Sequence, residues 1–242
     1  MFDMQKPWPF GLTRETWPRF TALVLLILIG LASLDAPLTR ASAILPQWVN
    51  PLFQEVTRFG QADWILIPSL AVALIGWLAA KMMRSLAVKT NAKTIASVAI
   101  FIFIGVAGPG LAINLVKRMV GRARPVHFDQ LGAFAFQPTW NDWTFQSFPS
   151  GHTTVIFAFA ALVSFFLPRF SGVRWWLFAA AMIVGVSRVL VGAHYPSDVF
   201  GGILAGTLGA FVVRNYCLKR GWLFGLTKDG AIIAKLDWAK NS

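Results

Sequence analysis

Six apolar runs, near residues 20–38, 64–80, 95–116, 153–167, 175–191 and 199–217, constrain this chain more than anything else in it. Each is close to the ~20 residues that cross a bilayer as a helix, the shorter ones by extending at their ends. The expected fold class is therefore all-α, a six-transmembrane-helix bundle in which residues 1–242 form a single integral membrane domain. Composition agrees: 56% of the residues are hydrophobic and 13% are charged, where a soluble domain carries about 25% charged residues. The pattern holds no internal repeat, low-complexity tract or soluble domain. The one cysteine, Cys217, excludes an internal disulfide framework and a cysteine-based metal site.

The fourth run ends at Pro168, and the sixth begins after Pro196, which suits a first-turn proline. Gly108-Pro109-Gly110 inside the third run predicts a kink or break there. Residues 1–19 are polar and aromatic, with Trp8, Phe10 and Trp17, and are expected to lie along the membrane interface. Ala41-Ser42-Ala43 resembles a signal-peptide cleavage site. The run before it is long for a signal segment, however, and its removal would take one member from the bundle.

The net charge is +12. In a soluble protein this would suggest nucleic acid. Here the basic residues flank apolar runs, so the charge reads as topology and as attraction to anionic lipid headgroups, with no nucleic-acid partner. With six crossings, 15 of the 22 Lys and Arg residues fall on one side, in the N-terminal segment, the second and fourth loops and the C-terminal tail. The positive-inside rule makes that side cytoplasmic, with both termini inside. Five of the other seven, Lys117, Arg118, Arg122, Arg124 and Arg188, crowd the outer ends of the third and fifth runs. They run against the rule and need another reason to be there.

Three clusters supply one. The first is KRMVGRARP, Lys117 to Pro125, in which Lys117 and Arg124 are seven residues apart. That is about two helical turns, so both point the same way. The second is FPSGHTT, where Ser150, Gly151 and His152 stand at the mouth of the fourth run. Ser150 is a good helix cap, but the same place is an anion site, with free N–H groups, a positive dipole end and a His that can move a proton. The third is SRVLVGAHYPSD, which sets Arg188 at the end of the fifth run and His194 near Asp198. Asp198 falls in the first turn of the sixth run, where a carboxylate is favoured, and it can also orient the His194 ring. Six alternating crossings bring all three clusters to the outer face. Such charges are costly in a membrane and are usually functional.

Three cations and a helix N-terminus suit a phosphate, and fixed positive charge stabilises the phosphoryl-transfer transition state. Two histidines allow a two-step route. His194, supported by Asp198, is assigned as the nucleophile, and His152 as the acid and base. No metal is expected, because Asp198 is the only carboxylate in the clusters and sits among three cations. His127 is read as a surface residue.

The pattern Lys117-x6-Arg124-Pro125, Pro149-Ser150-Gly151-His152, Ser187-Arg188-x5-His194-x3-Asp198 resembles the three-part motif of type 2 phosphatidic acid phosphatases, the PAP2 superfamily. No motif position departs from it. The resemblance covers residues 95–217, and the six helices also match membrane members of that family. It implies a phosphatase that needs no metal or other cofactor and works through a phosphohistidine. By motif position His194 would be the nucleophile, Asp198 its partner and His152 the acid and base. Lys117, Arg124, Ser150, Gly151 and Arg188 would bind the phosphate. The superfamily also includes soluble vanadium haloperoxidases, which six membrane runs argue against.

The outer loop, 126–148, is rich in aromatic residues: Phe128, Phe134, Phe136, Trp140, Trp143, Phe145 and Phe148. They form either an interfacial belt or a lid that guides a lipid into the site. Either way the expected partner is a membrane lipid phosphate, met in the bilayer. Bacterial relatives act on phosphatidylglycerophosphate, undecaprenyl diphosphate, phosphatidic acid or the 1-phosphate of lipid A. The expected location is a bacterial inner membrane, with the site facing the periplasm. Two rival functions remain open at this point: a lipid phosphotransferase with the same site, and a lipid-binding or transport protein with an inactive pocket. The oligomeric state is open as well.

Overall fold

The computed structural model describes residues 3–168 and 171–236. Its helices are α1 (Trp17–Ala43), α2 (Val49–Arg58), α3 (Asp63–Met82), α4 (Leu86–Val120), the single turn α5 (Phe128–Leu131), α6 (Gly151–Ser164), α7 (Val173–Leu190) and α8 (Pro196–Lys219). Two short strands, β1 (Phe224–Leu226) and β2 (Ile232–Ala234), pair antiparallel. This hairpin is an addition to the all-α expectation. Phe224 of β1 is buried and stacks edge-on against Phe101 and Phe165, so the hairpin closes one end of the bundle core.

Five helical stretches among the described residues are long and apolar enough to cross a membrane: α1, α2 with α3, α4, α7 and α8. Their outward faces carry large exposed side chains such as Leu26, Ile29, Ile67 and Leu111. Apolar surface of that extent fits lipid rather than water. The fourth expected crossing departs from this. Helix α6 has 14 residues, about 21 Å at 1.5 Å per residue and short of a bilayer core. Ten of those residues are buried by protein. Its neighbours, not lipid, set its length.

Close packing around α6 depends on small residues. On α8, a Cβ at Gly202 would meet the Ser150 carbonyl at 2.6 Å, and one at Gly206 would meet the Thr154 carbonyl at 2.3 Å. The break expected at Gly108-Pro109-Gly110 does not occur. Helix α4 continues through it for 35 residues, with Pro109 buried. The proline ring sits where a Cβ on Gly209 of α8 would lie, 2.4 Å from its Cγ. The missing side chain opposite leaves room for the ring.

The N-terminal segment also makes specific contacts with the bundle. Met4 and Pro9 are buried, and Arg214 of α8 donates to the carbonyls of Met4, Lys6 and Pro7 at 2.6–2.8 Å. The Gln5 carbonyl accepts from Ile232 of β2. This stretch therefore docks onto the bundle, and Arg214, fully buried between Phe165 and Phe211, is a structural clamp rather than a solvated loop charge. Both described chain ends lie at the end of the bundle where α8 finishes. The first turns of α6 and α8 and the last turns of α4 and α7 meet at the other end. Arg169 and Lys240, which entered the charge count, lie outside the described residues.

Candidate active site

The predicted site residues lie at or just beyond the ends of helices, and each helix ends there for a local reason. Helix α4 stops at Gly121, whose φ of +62° is a left-handed conformation that glycine adopts without strain. A Cβ there would also meet the Gln137 backbone at 2.2 Å. Lys117 is thereby left in the last turn, 7% exposed, with Arg124 four residues further out than the helix end. Helix α7 stops at Gly192, φ +65°, just past Arg188. The next amides, of Ala193 and His194, both bond the Arg188 carbonyl at 3.0 and 3.1 Å. His194 is thus tied to the residue that carries a candidate phosphate ligand. Helix α8 begins at Pro196, and Asp198 in its first turn accepts from the Tyr195 amide at 2.9 Å.

Ser150 caps α6 by backbone geometry, and its side chain makes no capping bond. Its amide donates to the Asp198 carbonyl at 2.9 Å, which fastens the mouth of α6 to the start of α8. Gly151 lies against Lys117: a Cβ there would come within 3.3 Å of the Lys117 Nζ. Lys117, Arg124 and Arg188 are close enough to repel one another, and His152 feels all three. The Nε of Arg124 and the Nε of Arg188 are buried without a hydrogen-bond partner among the described residues. Buried guanidinium N–H groups left so are uncommon and point to an anionic ligand. The structure therefore brings Lys117, Arg124, Ser150, Gly151, His152, Arg188, His194 and Asp198 together at one end of the bundle.

His194 Nδ1 lies 3.5 Å from the Asp198 Oδ2, so Nε2 is the nitrogen left free. Burial pushes the His194 imidazole well below the ordinary histidine range, to about 3, against the opposing pull of Asp198. Lys117 and Arg124 push in the same direction as burial. The ring is neutral at pH 7 and carries a lone pair for bond formation.

Several residues at the site were missed from the sequence. Arg122 donates to Asp198 Oδ1 at 2.6 Å, to Ser197 Oγ at 2.7 Å and to Asp35 Oδ2 at 2.7 Å. Ser147 donates to Asp198 Oδ2 at 2.5 Å. Thr57 of α2 accepts from Arg188 at 2.6 Å. Gly60, in the turn between α2 and α3, lies so close that a Cβ would meet the His152 Cβ at 2.6 Å. Asp35 did carry a signal, as the one charged residue within the first apolar run. Helix α2 carried a weak one, in the spacing of Val49, Phe53, Val56 and Thr57.

The aromatic loop does more than line a surface. It folds back along residues 121–124, with Ala123 and Arg124 amides bonding Ala135 and Thr144 carbonyls. Trp143 stacks on Arg124 at 5.0 Å, and Phe134 on Arg122 at 5.8 Å. His127, expected at the surface, is half-buried, hydrogen-bonded to Thr144 at 2.9 Å and stacked on Phe145. Beside the site a cavity of about 540 Å³ opens between α3, α4 and α6. Its walls include Leu66, Val106, Leu111 and Val155, and it reaches Gly151 and His152.

The model of the PAP2 superfamily matches residues 92–222. The lipid A 1-phosphatase of Rhizobium johnstonii is 35% identical over 209 residues, which is 86% of this chain and 84% of that protein. The lipid A 1-phosphatase of Rhizobium etli is 34% identical over 209 residues, 86% of this chain and 88% of that protein. Among solved structures, a transmembrane PAP2-type phosphatidylglycerolphosphate phosphatase from Bacillus subtilis has the same fold. Its TM-score is 0.53 at 22% identity, covering 81% of this chain and 94% of that one. The chain belongs to the PAP2 superfamily.

Proposed function

We propose that this integral membrane phosphatase removes the 1-phosphate of lipid A, through a covalent phosphohistidine on His194. The observation that carries the chemistry is the convergence of three cations, two of them with unpartnered buried N–H groups, on a neutral histidine held by a carboxylate. The substrate rests on the two lipid A 1-phosphatases that align over most of this chain. Phosphatidylglycerophosphate, undecaprenyl diphosphate and phosphatidic acid are the other lipids that such a site would accept.

In the reaction, Lys117, Arg124, Arg188 and the first-turn amides of α6 hold the phosphoryl oxygens. The Nε2 of His194 forms a bond to phosphorus as the bond from phosphorus to the sugar oxygen breaks. His152 gives that oxygen a proton. It is placed to do so because it lines the apolar cavity, where the rest of the lipid lies. A water then bonds to phosphorus, the N–P bond breaks, and His152 takes the proton from that water. Inorganic phosphate leaves. Both Asp198 oxygens are already engaged, by Arg122, Ser147 and the Tyr195 amide, so no metal is assigned to this carboxylate.

The test is release of inorganic phosphate from lipid A bearing a 1-phosphate, by detergent-purified protein with chelator present. Release is expected. Phosphate appearing on a second lipid instead would identify a phosphotransferase, which uses the same groups. Binding without release would leave only a binding protein.

The charge bias of the sequence supports cytoplasmic termini and a periplasmic site in a bacterial inner membrane, with α6 and its flanking loops completing a sixth crossing. A thiol probe that cannot cross membranes is expected to label Gln130→Cys, at an exposed position in the outer loop, in cells whose inner membrane is sealed. Labelling only after that membrane is permeabilised would reverse the orientation.

A further inference from the structure

Helix α1 faces outward along nearly its whole length, and Asp35 is its only buried residue. That carboxylate is fully buried. Its Oδ1 accepts from the Ser197 amide at 3.0 Å, and its Oδ2 from Ser197 Oγ at 2.6 Å and Arg122 Nη2 at 2.7 Å. Arg122, 4% exposed, turns its other Nη to Asp198 Oδ1 at 2.6 Å. Asp35, Arg122, Asp198 and His194 thus form one continuous buried chain from a peripheral helix to the nucleophile.

Formal charge gives this chain a meaning. Arg122 paired with Asp198 alone would be neutral, and a neutral pair does little for the positive charge that His194 develops on bonding to phosphorus. With Asp35 included, one cation faces two carboxylates, and the cluster keeps one negative charge. Arg122 can therefore fix the Asp198 carboxylate by a charged hydrogen bond without cancelling what Asp198 does for His194. We propose that Asp35 is a positioning residue for the reaction: it neutralises Arg122, so that Asp198 is held rigidly and still acts on His194 as a full negative charge. This rests on His194 being the nucleophile.

Asp35→Asn keeps the shape and removes the charge. It is expected to lower kcat about 10- to 100-fold, as loss of a group that supports a site ligand does, with KM little changed, because no phosphate ligand is touched. The double variant Asp35→Asn/Arg122→Gln removes both charges and returns the cluster to one negative charge. Its kcat is expected to exceed that of Asp35→Asn. Both are measured on full-length protein in detergent, by phosphate release from lipid A 1-phosphate per folded molecule. A purely structural role would lower melting temperature in both variants and leave kcat per folded molecule unchanged, and that result would overturn the proposal. So would a double variant no faster than the single one. If Asp35→Asn does not fold, the double variant decides alone: kcat within about tenfold of wild type supports the charge balance, and a larger loss rejects it. Wild-type protein that releases no phosphate would instead remove the reading of the site on which the inference stands.

Discussion

His194→Ala is expected to abolish phosphate release, with a fall of about 1,000-fold or more, the scale on which enzymes lose a nucleophile or a proton-transfer group. On the proposed mechanism the change takes away the atom that bonds to phosphorus and leaves Asp198 with no ring to support. It leaves the three cations and the mouth of α6 in place, so lipid binding is expected to persist while turnover does not. The fold should tolerate it. The backbone amide of His194, which ties it to Arg188, is untouched, and Asp198 keeps its bonds to Arg122, Ser147 and Tyr195. A variant that melts like the parent and turns over at a similar rate would sink the assignment.

Arg122→Ala is expected to have the largest effect on stability. Arg122 stands between two carboxylates that are both fully buried, Asp35 and Asp198. Removing it strands both. Breaking a buried ion pair by deleting one partner costs about 3–5 kcal/mol, mostly through the uncompensated charge left behind. The Ala133 carbonyl would lose its donor as well, and with it an anchor of the aromatic loop. Thermal unfolding in detergent should show the loss as a clear fall in melting temperature, and turnover should fall with it. An unchanged melting temperature would contradict a structural role for the ion pairs of Arg122 with Asp35 and Asp198.

The site was legible from sequence to an unusual degree because its chemistry is carried by residue types that a membrane chain does not place casually. Lys117, Arg124, Arg188, His152, His194 and Asp198 stood out as polar groups at the ends of apolar runs, where such groups are costly and usually functional. What escaped was the layer behind them. Arg122 lay inside a run of basic residues whose members look alike until one is seen between two carboxylates. Ser147 and Ser197 adjoin the quoted clusters, but a small hydroxyl residue there reads as loop or cap until its bonds to Asp198, Arg122 and Asp35 are seen. Gly60 and Thr57 belong to the stretch between the first two long apolar runs, where α2 is short and amphipathic and gives no membrane signal.

The fold was read less completely, for physical reasons. An apolar run of a given length looks the same whether lipid or protein covers it, so α6 could not be told from a full crossing. The glycine and proline triplet in α4 looked like a break because sequence does not show that Gly209 leaves room opposite Pro109. The hairpin of β1 and β2 comprises three residues in each strand, too few for a period to declare itself. Arg214 was counted with the charges of the C-terminal tail although it lies within the last apolar run, and only its partners show that it holds the N-terminal segment.

On the proposed mechanism the phosphoryl group rests on His194 between leaving the lipid and reaching water. The direct measurement is to give the protein lipid A with a radiolabelled 1-phosphate, stop the reaction in alkali, which preserves phosphohistidine, and map the label on the chain. Label is expected on the peptide that contains His194, with none in His194→Ala, and is expected to be lost in acid. Label on another residue, or rapid phosphate release with no labelled protein at any time, would contradict it.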